Sequence, residues 1–313
     1  MKILIMGTGG VGGYYGGLLA QQGNDVTFIA RGAHLYAIRH EGLKVKSVHG
    51  DFIVSPANAT EDPDKVGPVD LILFSVKTYH TDEAAEAIRS AVGPQTAVLS
   101  LQNGIDATER IAKVIGIEHV LGGATWLSSA VEAPGVIKQI SQFRRIVFGE
   151  MDRTRSERIQ TIYEVLKNTS ITVEVSEDIL RILWTKFVFI AAVSSVGSMT
   201  RLPMGDYRSV PETRGLLSGI MHEIEALAHA QSIALDEDVV AKSLEFMDNS
   251  GPHIKPSMQL DIESGRRTEI ESMIGVIGRK GRELGVPTPV ADFVYASLLP
   301  IELKARKDLS PAP

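Results

Sequence analysis

A chain of 313 residues is long enough for two ordinary domains, and 44% hydrophobic with 22% charged residues is typical of a soluble globular protein. The net charge of −6 argues against a general nucleic-acid or anionic-membrane surface, so neither nucleic acid nor membrane is expected as a partner. The absence of cysteine excludes disulfides, thiolate metal sites and cysteine nucleophiles, and it fits a reducing compartment.

The chain begins with a predicted strand, residues 2–6, that runs into a glycine-rich turn opening a helix. The turn reads Gly7, Thr8, Gly9, Gly10, Val11 and Gly12. Its first glycine permits a tight turn, its second lets the backbone approach phosphates, and its third lets the helix pack closely on the strand. This arrangement places backbone N–H groups and a helix N-terminus around a pyrophosphate. The sequence therefore predicts a dinucleotide site, with a merely structural turn as the alternative.

Nothing in the sequence indicates secretion or membrane insertion. The predicted strand starts at residue 2 and leaves no room for a signal peptide. The longest candidate for membrane insertion, residues 187–193, is far shorter than the roughly 20 residues that a bilayer span needs. We therefore expect a cytoplasmic protein.

The first half alternates short apolar strands with helical stretches, which predicts an α/β fold. A helix at 14–22 is followed by a strand at 25–30, and a further helix lies at 81–92. Other strand-like segments are at 43–47, 52–55, 70–76, 96–101 and 145–148. Such alternation predicts a Rossmann-type, doubly wound parallel sheet with right-handed crossovers.

The pattern becomes all-helical near residue 176. Ser176 is expected to cap a long, buried helix that runs from Ile179 to about Met199. Further helical segments are at 213–231, 236–248, 268–283 and 290–304, and the Ser-Pro-Ala-Pro tail is expected to be mobile. We predict an NADP-binding domain over residues 1–176 and a helical substrate and catalytic domain over residues 177–313.

Arg31 suggests which dinucleotide binds. NAD-preferring folds place an acidic residue about 20 residues past the glycines, where it bonds the ribose. This sequence has Arg31 there instead. A guanidinium can grip a 2′-phosphate through two hydrogen bonds, so NADP(H) is predicted. The alternative is that Arg31 is a solvated surface residue.

Lys77 and Asn103 each follow a predicted strand of the sheet. Ligands of such sheets bind at the carboxyl ends of the strands, which is where both residues fall. A lysine there can contact phosphate or ribose. An Asn-Gly pair after a strand is more often only a turn, so position alone makes Asn103 a candidate.

Lys186 is the principal candidate of the helical half. The turns that follow it in its helix are all apolar, and a lysine is rarely buried without a purpose. Desolvation would lower its pKa and suit it to protonate a carbonyl oxygen as hydride arrives. The alternative is an ammonium group that reaches solvent or a structural carboxylate along the helix.

Other charged residues of the helical half carry less information. Glu269 is expected in the first turn of a helix, where a carboxylate is ordinary. His222-Glu223 lacks the second histidine of a zinc protease motif, because position 226 is alanine. His222 and His229 are more plausible as exposed residues than as ligands, so no metal is predicted.

Taken together, these residues resemble the ketopantoate reductase (2-dehydropantoate 2-reductase) family over nearly the whole chain. The resemblance rests on the glycine turn, the arginine at position 31, Ser-Val-Lys77, Leu-Gln-Asn103-Gly, Trp-Thr-Lys186, Pro-Ser257-Met258, and Arg-Thr-Glu269-Ile followed by Gly285-Val-Pro-Thr-Pro. It implies NADPH-dependent reduction of a 2-oxo acid on the route to pantothenate.

The resemblance also implies a role for each matching residue. Lys186 would be the general acid, and Glu269 would lie in the active site near cofactor and substrate. Ser257 would touch the substrate, and Lys77 and Asn103 would line the cofactor site. The glycine turn would hold the diphosphate and Arg31 the 2′-phosphate.

One departure concerns the substrate. The family's usual catalytic helix carries asparagines four and eight residues after the lysine, where this chain has Ile190 and Ser194. Isoleucine makes no side-chain hydrogen bond, so a grip on a hydroxylated substrate is weakened. Ser194 and Asn103 join Lys186 and Ser257 as substrate-binding candidates. The alternatives are a reductase for another 2-oxo or 3-hydroxy acid, or a non-catalytic NADP(H) sensor.

The oligomeric state is open at this point. The helical half could pack against a second copy, which makes a homodimer one expectation, but nothing in the sequence identifies an interface.

Overall fold

The computed structural model describes residues 1–308, and the predicted mobile tail at 310–313 lies outside them. The chain forms two compact units. The first comprises residues 1–102 and 107–182, and the second comprises residues 103–106 together with the chain from Leu183 onward. The boundary between the two compact units therefore lies between residues 182 and 183, six residues beyond the boundary predicted between residues 176 and 177. The assignment of coenzyme and substrate roles to residues 1–176 and 177–313 stays a prediction.

The first unit contains twelve strands and five helices among its described residues. The strands are β1 (Lys2–Met6), β2 (Asp25–Ile29), β3 (Leu43–Lys46), β4 (Phe52–Val54), β5 (Asn58–Thr60), β6 (Val69–Phe74), β7 (Val92–Ser100), β8 (Val120–Trp126), β9 (Ser129–Ala133), β10 (Val136–Gln139), β11 (Arg145–Glu150) and β12 (Thr172–Val175). The helices are α1 (Gly10–Gln21), α2 (Gly32–Glu41), α3 (Thr81–Ala87), α4 (Ala107–Ile115) and α5 (Glu157–Lys167).

The strands form two sheets. The large one has eight strands in the order β12-β11-β8-β7-β6-β1-β2-β5. Its pairs are parallel except β11 with β8. Strands β6 and β1 at its centre are apolar and buried, as expected where helices cover both faces. The predicted α/β class with a Rossmann-type sheet followed by helices is confirmed, whereas the predicted all-parallel pairing is wrong for the 145–148 strand.

The strands predicted at 43–47 and 52–55 belong to a separate, four-stranded sheet in the order β4-β3-β10-β9. Helix α1 lies between the two sheets, and its glycines allow the close approach. A Cβ on Gly16 would lie 2.7 Å from Ile5 of the large sheet, and one on Gly13 would lie 2.7 Å from Ile137 of the small sheet. The small sheet therefore covers α1, which the alternation of elements in the sequence does not reveal.

All regular elements among the described residues of the second unit are helical. It contains most of α6 (Ile179–Thr200), followed by α7 (Met204–Ser209), α8 (Pro211–Ala230), α9 (Val239–Asn249), α10 (Ser257–Glu263), α11 (Val276–Leu284) and α12 (Pro289–Arg306). One π-helical turn, Glu271–Gly275, precedes α11. The segment predicted as a helix at 268–283 is helical from Ile270, two residues later than expected, and α7 and α10 were not predicted.

Helix α6 is longer than its apolar run suggested. The 22-residue helix is long and apolar enough to meet the criteria for a membrane span, and its most apolar window has a mean hydropathy of 1.7. The run at 187–193 therefore underestimated the length of the apolar segment. The α6 residues Phe187, Val188, Ala192 and Val196 are buried in the hydrophobic core of the second unit, together with side chains of α8 and α9. The predicted burial of this helix is confirmed.

Glu223 connects α8 to the start of α12. Its two carboxylate oxygens accept hydrogen bonds from the backbone N–H groups of Val290 and Ala291, at 2.7 and 2.9 Å. Burial raises the pKa of this carboxyl, while the two backbone bonds act in the opposite direction. A buried carboxylate at a helix N-terminus satisfies N–H groups that have no acceptor within the helix.

We expect Glu223→Ala to lower the free energy of unfolding by about 1–3 kcal/mol, because the buried N–H of Ala291 and the half-buried N–H of Val290 lose their acceptor. Urea titration followed by circular dichroism measures the change. Glu225→Ala in the same helix is the control and should change stability by no more than about 0.5 kcal/mol. Equal effects of the two variants would contradict the capping role.

Candidate functional site

The turn between β1 and α1 has the geometry of a phosphate cradle. Gly7 has φ of +100°, a conformation that other residues rarely adopt, and a Cβ on it would lie 2.8 Å from the Val76 nitrogen. A Cβ on Gly9 would instead meet no atom within 4 Å, so open space adjoins that residue. Gly9 is also the N-cap of α1, and a glycine cap leaves the first N–H groups of the helix to an incoming anion.

The other glycines of the turn are required by close backbone packing. A Cβ on Gly12 would lie 2.2 Å from the Gly7 oxygen and 2.3 Å from Ser75 Oγ. A Cβ on Gly10 would lie 2.3 Å from the Ser129 oxygen in the small sheet. A side chain at position 12 would push α1 away from the turn, and one at position 10 would push it away from the small sheet. The sequence pattern here therefore reflects packing as well as phosphate access.

Thr8 shapes the turn from within. Its N–H and its hydroxyl both donate to the Ile29 carbonyl, at 3.0 and 2.8 Å, and its side chain is buried. Its carbonyl is contacted by His34 Nε2 at 2.8 Å, while His34 Nδ1 accepts from the Gly135 N–H at 2.9 Å. Sequence reasoning missed His34, although its place three residues after Arg31 sets it beside the same strand end.

Arg31 lies at the N-cap of α2, two residues after the end of β2, and its side chain is exposed. Its guanidinium donates to the Glu83 carboxylate on α3 at 3.0 Å, and Glu83 also contacts His80 Nδ1 at 3.3 Å. The guanidinium lowers the pKa of Glu83. A 2′-phosphate at Arg31 would compete with this carboxylate, a partner that no sequence pattern indicated.

Lys77 follows β6, is half-buried, and precedes a short 3₁₀ turn. The adjoining loop is held by Gln102, whose amide nitrogen donates to the Val76 carbonyl and to the Thr81 hydroxyl, both at 2.9 Å. The structure thus places Lys77 beside the glycine turn, because Val76 also packs against Gly7. Gln102 is a second supporting residue that the sequence did not single out.

Lys186 lies on α6, and its ammonium group donates to Asn103 Oδ1 at 2.9 Å. The residue as a whole is half-buried, yet burial of the ammonium lowers its pKa to about 8, and the Glu269 carboxylate opposes the decrease. The structure therefore brings together Lys186, Asn103 and Glu269 within the second unit. Asn103 belongs to that unit although it follows β7 of the large sheet.

Glu269 is buried and directly precedes Ile270, the first helical residue of this segment, and its backbone carbonyl accepts from the Met273 N–H at 3.0 Å, so the expectation that it lies at the start of a helix is confirmed. Its neighbour Thr268 donates to Glu302 Oε2 through its N–H at 2.8 Å and through its hydroxyl at 2.6 Å. Glu302 is buried and also pairs with Arg306. This network fixes the backbone beside Glu269. Glu302 lies 33 residues further along the chain, and no local pattern pointed to it.

The remaining substrate candidates differ in their placement. Ile190 and Ser194 follow Lys186 at intervals of four along α6, which sets them on one face of the helix, and Ser194 is buried. Ser257 is the first residue of α10 and is exposed. The contacts that join Lys186 to Asn103 and Glu269 do not include Ser257, so its role stays a prediction.

Metal ligation was not expected, and residues 1–308 contain no group of three or more histidine, cysteine, aspartate or glutamate side chains suited to hold an ion. His222 Nδ1 lies 2.8 Å from the Ser218 carbonyl of its own helix and is exposed.

The residues of the first unit fit an NADP(H) coenzyme. The space beside Gly9 and the N–H groups at the start of α1 suit a diphosphate, and the exposed guanidinium of Arg31 suits a 2′-phosphate. Strands β1, β2 and β6 all end at this edge of the large sheet, which is where ligands of such folds bind.

Comparisons with known proteins agree with this geometry. Residues 3–153 match the family model of the ketopantoate reductase PanE/ApbA, and residues 178–302 match its C-terminal model. The chain is 30% identical to an uncharacterized oxidoreductase, YkpB, of Bacillus subtilis, over 95% of this chain and 98% of that one.

Solved structures are similar over nearly their full length. A 2-dehydropantoate 2-reductase from Geobacter metallireducens has a TM-score of 0.90 at 32% identity, with 96% of this chain and 99% of that chain covered. The ternary structure of D-mandelate dehydrogenase with NADH and anilino(oxo)acetate has a TM-score of 0.90 at 25% identity, with 98% and 99% covered. The chain therefore belongs to the ketopantoate reductase family of NADP-dependent oxidoreductases.

Proposed function

We propose that this protein uses NADPH to reduce 2-dehydropantoate to pantoate, a step of pantothenate biosynthesis, with Lys186 as general acid. The observation that supports the proposal is the contact of Lys186 Nζ with Asn103 Oδ1 at 2.9 Å, together with a pKa of about 8 for this lysine. A buried ammonium whose pKa lies near neutrality is suited to give up a proton during the reaction.

Three side chains take part in the proposed proton transfer: Lys186, Asn103 and Glu269. When bound, NADPH supplies the hydride that adds to the keto carbon. Lys186 donates a proton to the carbonyl oxygen as negative charge develops there, which leaves the amine neutral and the product a 2-hydroxy acid. The side-chain oxygen Oδ1 of Asn103 orients the Lys186 ammonium, and the Glu269 carboxylate favours the charged form of this lysine. Ser194 and Ser257 are proposed to contact the substrate.

A second candidate is a 2-oxo acid with a less polar side chain. Ile190 stands on the Lys186 face of α6 and can make no side-chain hydrogen bond to a substrate hydroxyl. D-mandelate dehydrogenase, whose structure is similar, was solved with anilino(oxo)acetate, a 2-oxo acid derivative that carries an aromatic group. A non-catalytic NADP(H) sensor is a weaker alternative because Lys186 and Glu269 are retained.

The setting of the reaction is also proposed. We infer a cytoplasmic enzyme from the absence of cysteine and from the reducing coenzyme that the family uses. A homodimer stays a prediction.

Lys186→Ala should lower kcat by about 10²–10⁴-fold, because the proton donor is lost. The Kd for NADPH should change by less than about threefold, since the coenzyme phosphates are bound elsewhere. Steady-state rates and fluorescence titration measure both quantities. Lys242→Ala, which removes an exposed lysine paired with Asp236 and Asp238, is the control and should match the wild type. Turnover near the wild-type value in Lys186→Ala would disprove the assigned mechanism.

The pH profile should report the same group. The charged ammonium is the reactive form, so kcat/KM should decrease above pH 8, where the pKa of about 8 makes the amine neutral. Glu269→Gln removes the carboxylate that raises this pKa, and the alkaline limb should move to lower pH. Glu283→Gln, an exposed carboxylate on α11, should leave the limb in place. An alkaline limb that stays fixed or moves upward in Glu269→Gln contradicts the proposed coupling.

Substrate choice can be tested with a panel of 2-dehydropantoate, 2-oxoisovalerate and phenylglyoxylate, followed by NADPH oxidation. Ile190→Asn should raise kcat/KM for 2-dehydropantoate relative to phenylglyoxylate by about tenfold, since an amide can bond the substrate hydroxyl. Ile190→Leu keeps an apolar side chain and is the control. A clear wild-type maximum for 2-dehydropantoate eliminates the second candidate. NADPH binding without oxidation by any acid would favour the sensor instead.

A further inference from the structure

His34, which lies outside the sequence motifs described above, forms a bridge with hydrogen bonds on both sides of its ring. Its Nε2 lies 2.8 Å from the Thr8 carbonyl, and its Nδ1 accepts from the Gly135 N–H at 2.9 Å. Because a backbone N–H can only donate, Nδ1 must be unprotonated. Because a carbonyl can only accept, Nε2 must carry the proton. The geometry therefore requires the neutral imidazole in one tautomer.

The bridge controls the direction of an N–H group in the glycine turn. The Thr8 carbonyl and the Gly9 N–H belong to one planar trans peptide unit, in which the two groups point in opposite directions. A hydrogen bond from His34 to the Thr8 oxygen thus aims the Gly9 N–H to the opposite side. Space for a ligand adjoins Gly9, where a Cβ would meet no atom within 4 Å. A rotated peptide would instead present a carbonyl oxygen to the phosphates.

We propose that His34 is a positioning residue for the coenzyme: as a neutral imidazole it holds the Thr8–Gly9 peptide in the orientation that binds phosphate, and its protonation weakens coenzyme binding. The protonated ring would carry a second N–H directed at the Gly135 N–H, so the bridge to the small sheet would break. Burial lowers the pKa of His34, which agrees with a neutral bridging ring, while the Thr8 bond acts in the opposite direction.

The charged and titratable groups on the elements around His34 contact other partners. Within its own helix and N-cap, Arg31 pairs with Glu83, Arg39 donates to the Ala59 carbonyl, Glu41 pairs with Lys44 of β3, and the exposed His40 contacts the Tyr36 carbonyl. On the small sheet, Glu132 of β9 pairs with Lys46 of β3 and Lys138 of β10. None of these groups contributes to the shift in the pKa of His34.

Two substitutions separate positioning from simple packing. Glutamine at this site offers one N–H donor and one carbonyl acceptor, as the neutral ring does, but it does not titrate in this pH range. Alanine removes both bonds. The readout is the Kd for NADPH from fluorescence titration between pH 5 and pH 8, and it requires no substrate, so it is independent of which 2-oxo acid the enzyme reduces.

We expect His34→Ala to raise the Kd by about tenfold at pH 8, the effect of losing hydrogen bonds that order the turn. The kcat at saturating NADPH should stay within about twofold of the wild type, because the bound turn is complete. His34→Gln should retain wild-type affinity at pH 8. The ratio of wild-type to His34→Gln Kd should then rise at least about threefold toward pH 5, because only the wild type gains a proton. Taking this ratio cancels the titration of the coenzyme phosphate and of the other histidines.

The proposal fails if His34→Ala binds NADPH as the wild type does, or if the ratio stays flat with pH. It also fails if kcat at saturating coenzyme falls as far as affinity. Should His34→Ala lose its fold, as thermal unfolding would reveal, the comparison of wild type with His34→Gln decides the question.

Discussion

A buried ammonium group on an apolar helix is unfavourable unless neighbouring groups stabilise its charge. The second unit must therefore supply such groups around Lys186. Asn103 supplies a hydrogen-bond acceptor at 2.9 Å, and Glu269 supplies a negative charge. These two residues come from distant parts of the chain, so the segments that carry them must be fixed in turn. Residues 103–106 belong to the compact unit of Lys186, and Glu302 holds the residue before Glu269.

The predicted coenzyme site at the glycine turn depends on a different constraint, which is the direction of the peptide N–H and C=O groups in the turn. A glycine turn has no side chains to fix its peptides, so the surrounding structure must do so. The Ile29 carbonyl accepts from Thr8, the Ser75 hydroxyl donates to the Gly7 carbonyl at 3.0 Å, and His34 contacts the Thr8 carbonyl. The small sheet reinforces this arrangement because its Ser129 and Gly135 adjoin the turn and its histidine.

Local patterns predicted what local physics determines. Hydrophobic periodicity, apolar runs and turn residues were enough to predict the glycine turn, three strands of the large sheet and the long helix. The structure has β1, β2, β6 and α6 close to the expected bounds. Pairing between distant segments was not predictable in this way: β3 and β4 join β10 and β9, which lie more than 70 residues later. For the same reason, the sequence did not reveal the residues that position the site through contacts with distant segments. His34, Gln102 and Glu302 are individually ordinary, and only the fold brings them to Thr8, Val76 and Thr268.

In the proposed mechanism, acid catalysis and substrate recognition depend on different residues, and for this reason membership of the family leaves the substrate open. In the proposed mechanism, proton donation requires the lowered pKa of Lys186 and its contacts with Asn103 and Glu269, and none of these depends on the substrate side chain. Recognition is assigned instead to the residues four and eight positions further along α6, where Ile190 and Ser194 stand. A hydroxylated substrate placed against Ile190 would lose a hydrogen bond to water without gaining one, whereas an apolar side chain would gain contact. On this proposal, one substitution on this face of α6 would change the preferred substrate, and the proton donor would be kept.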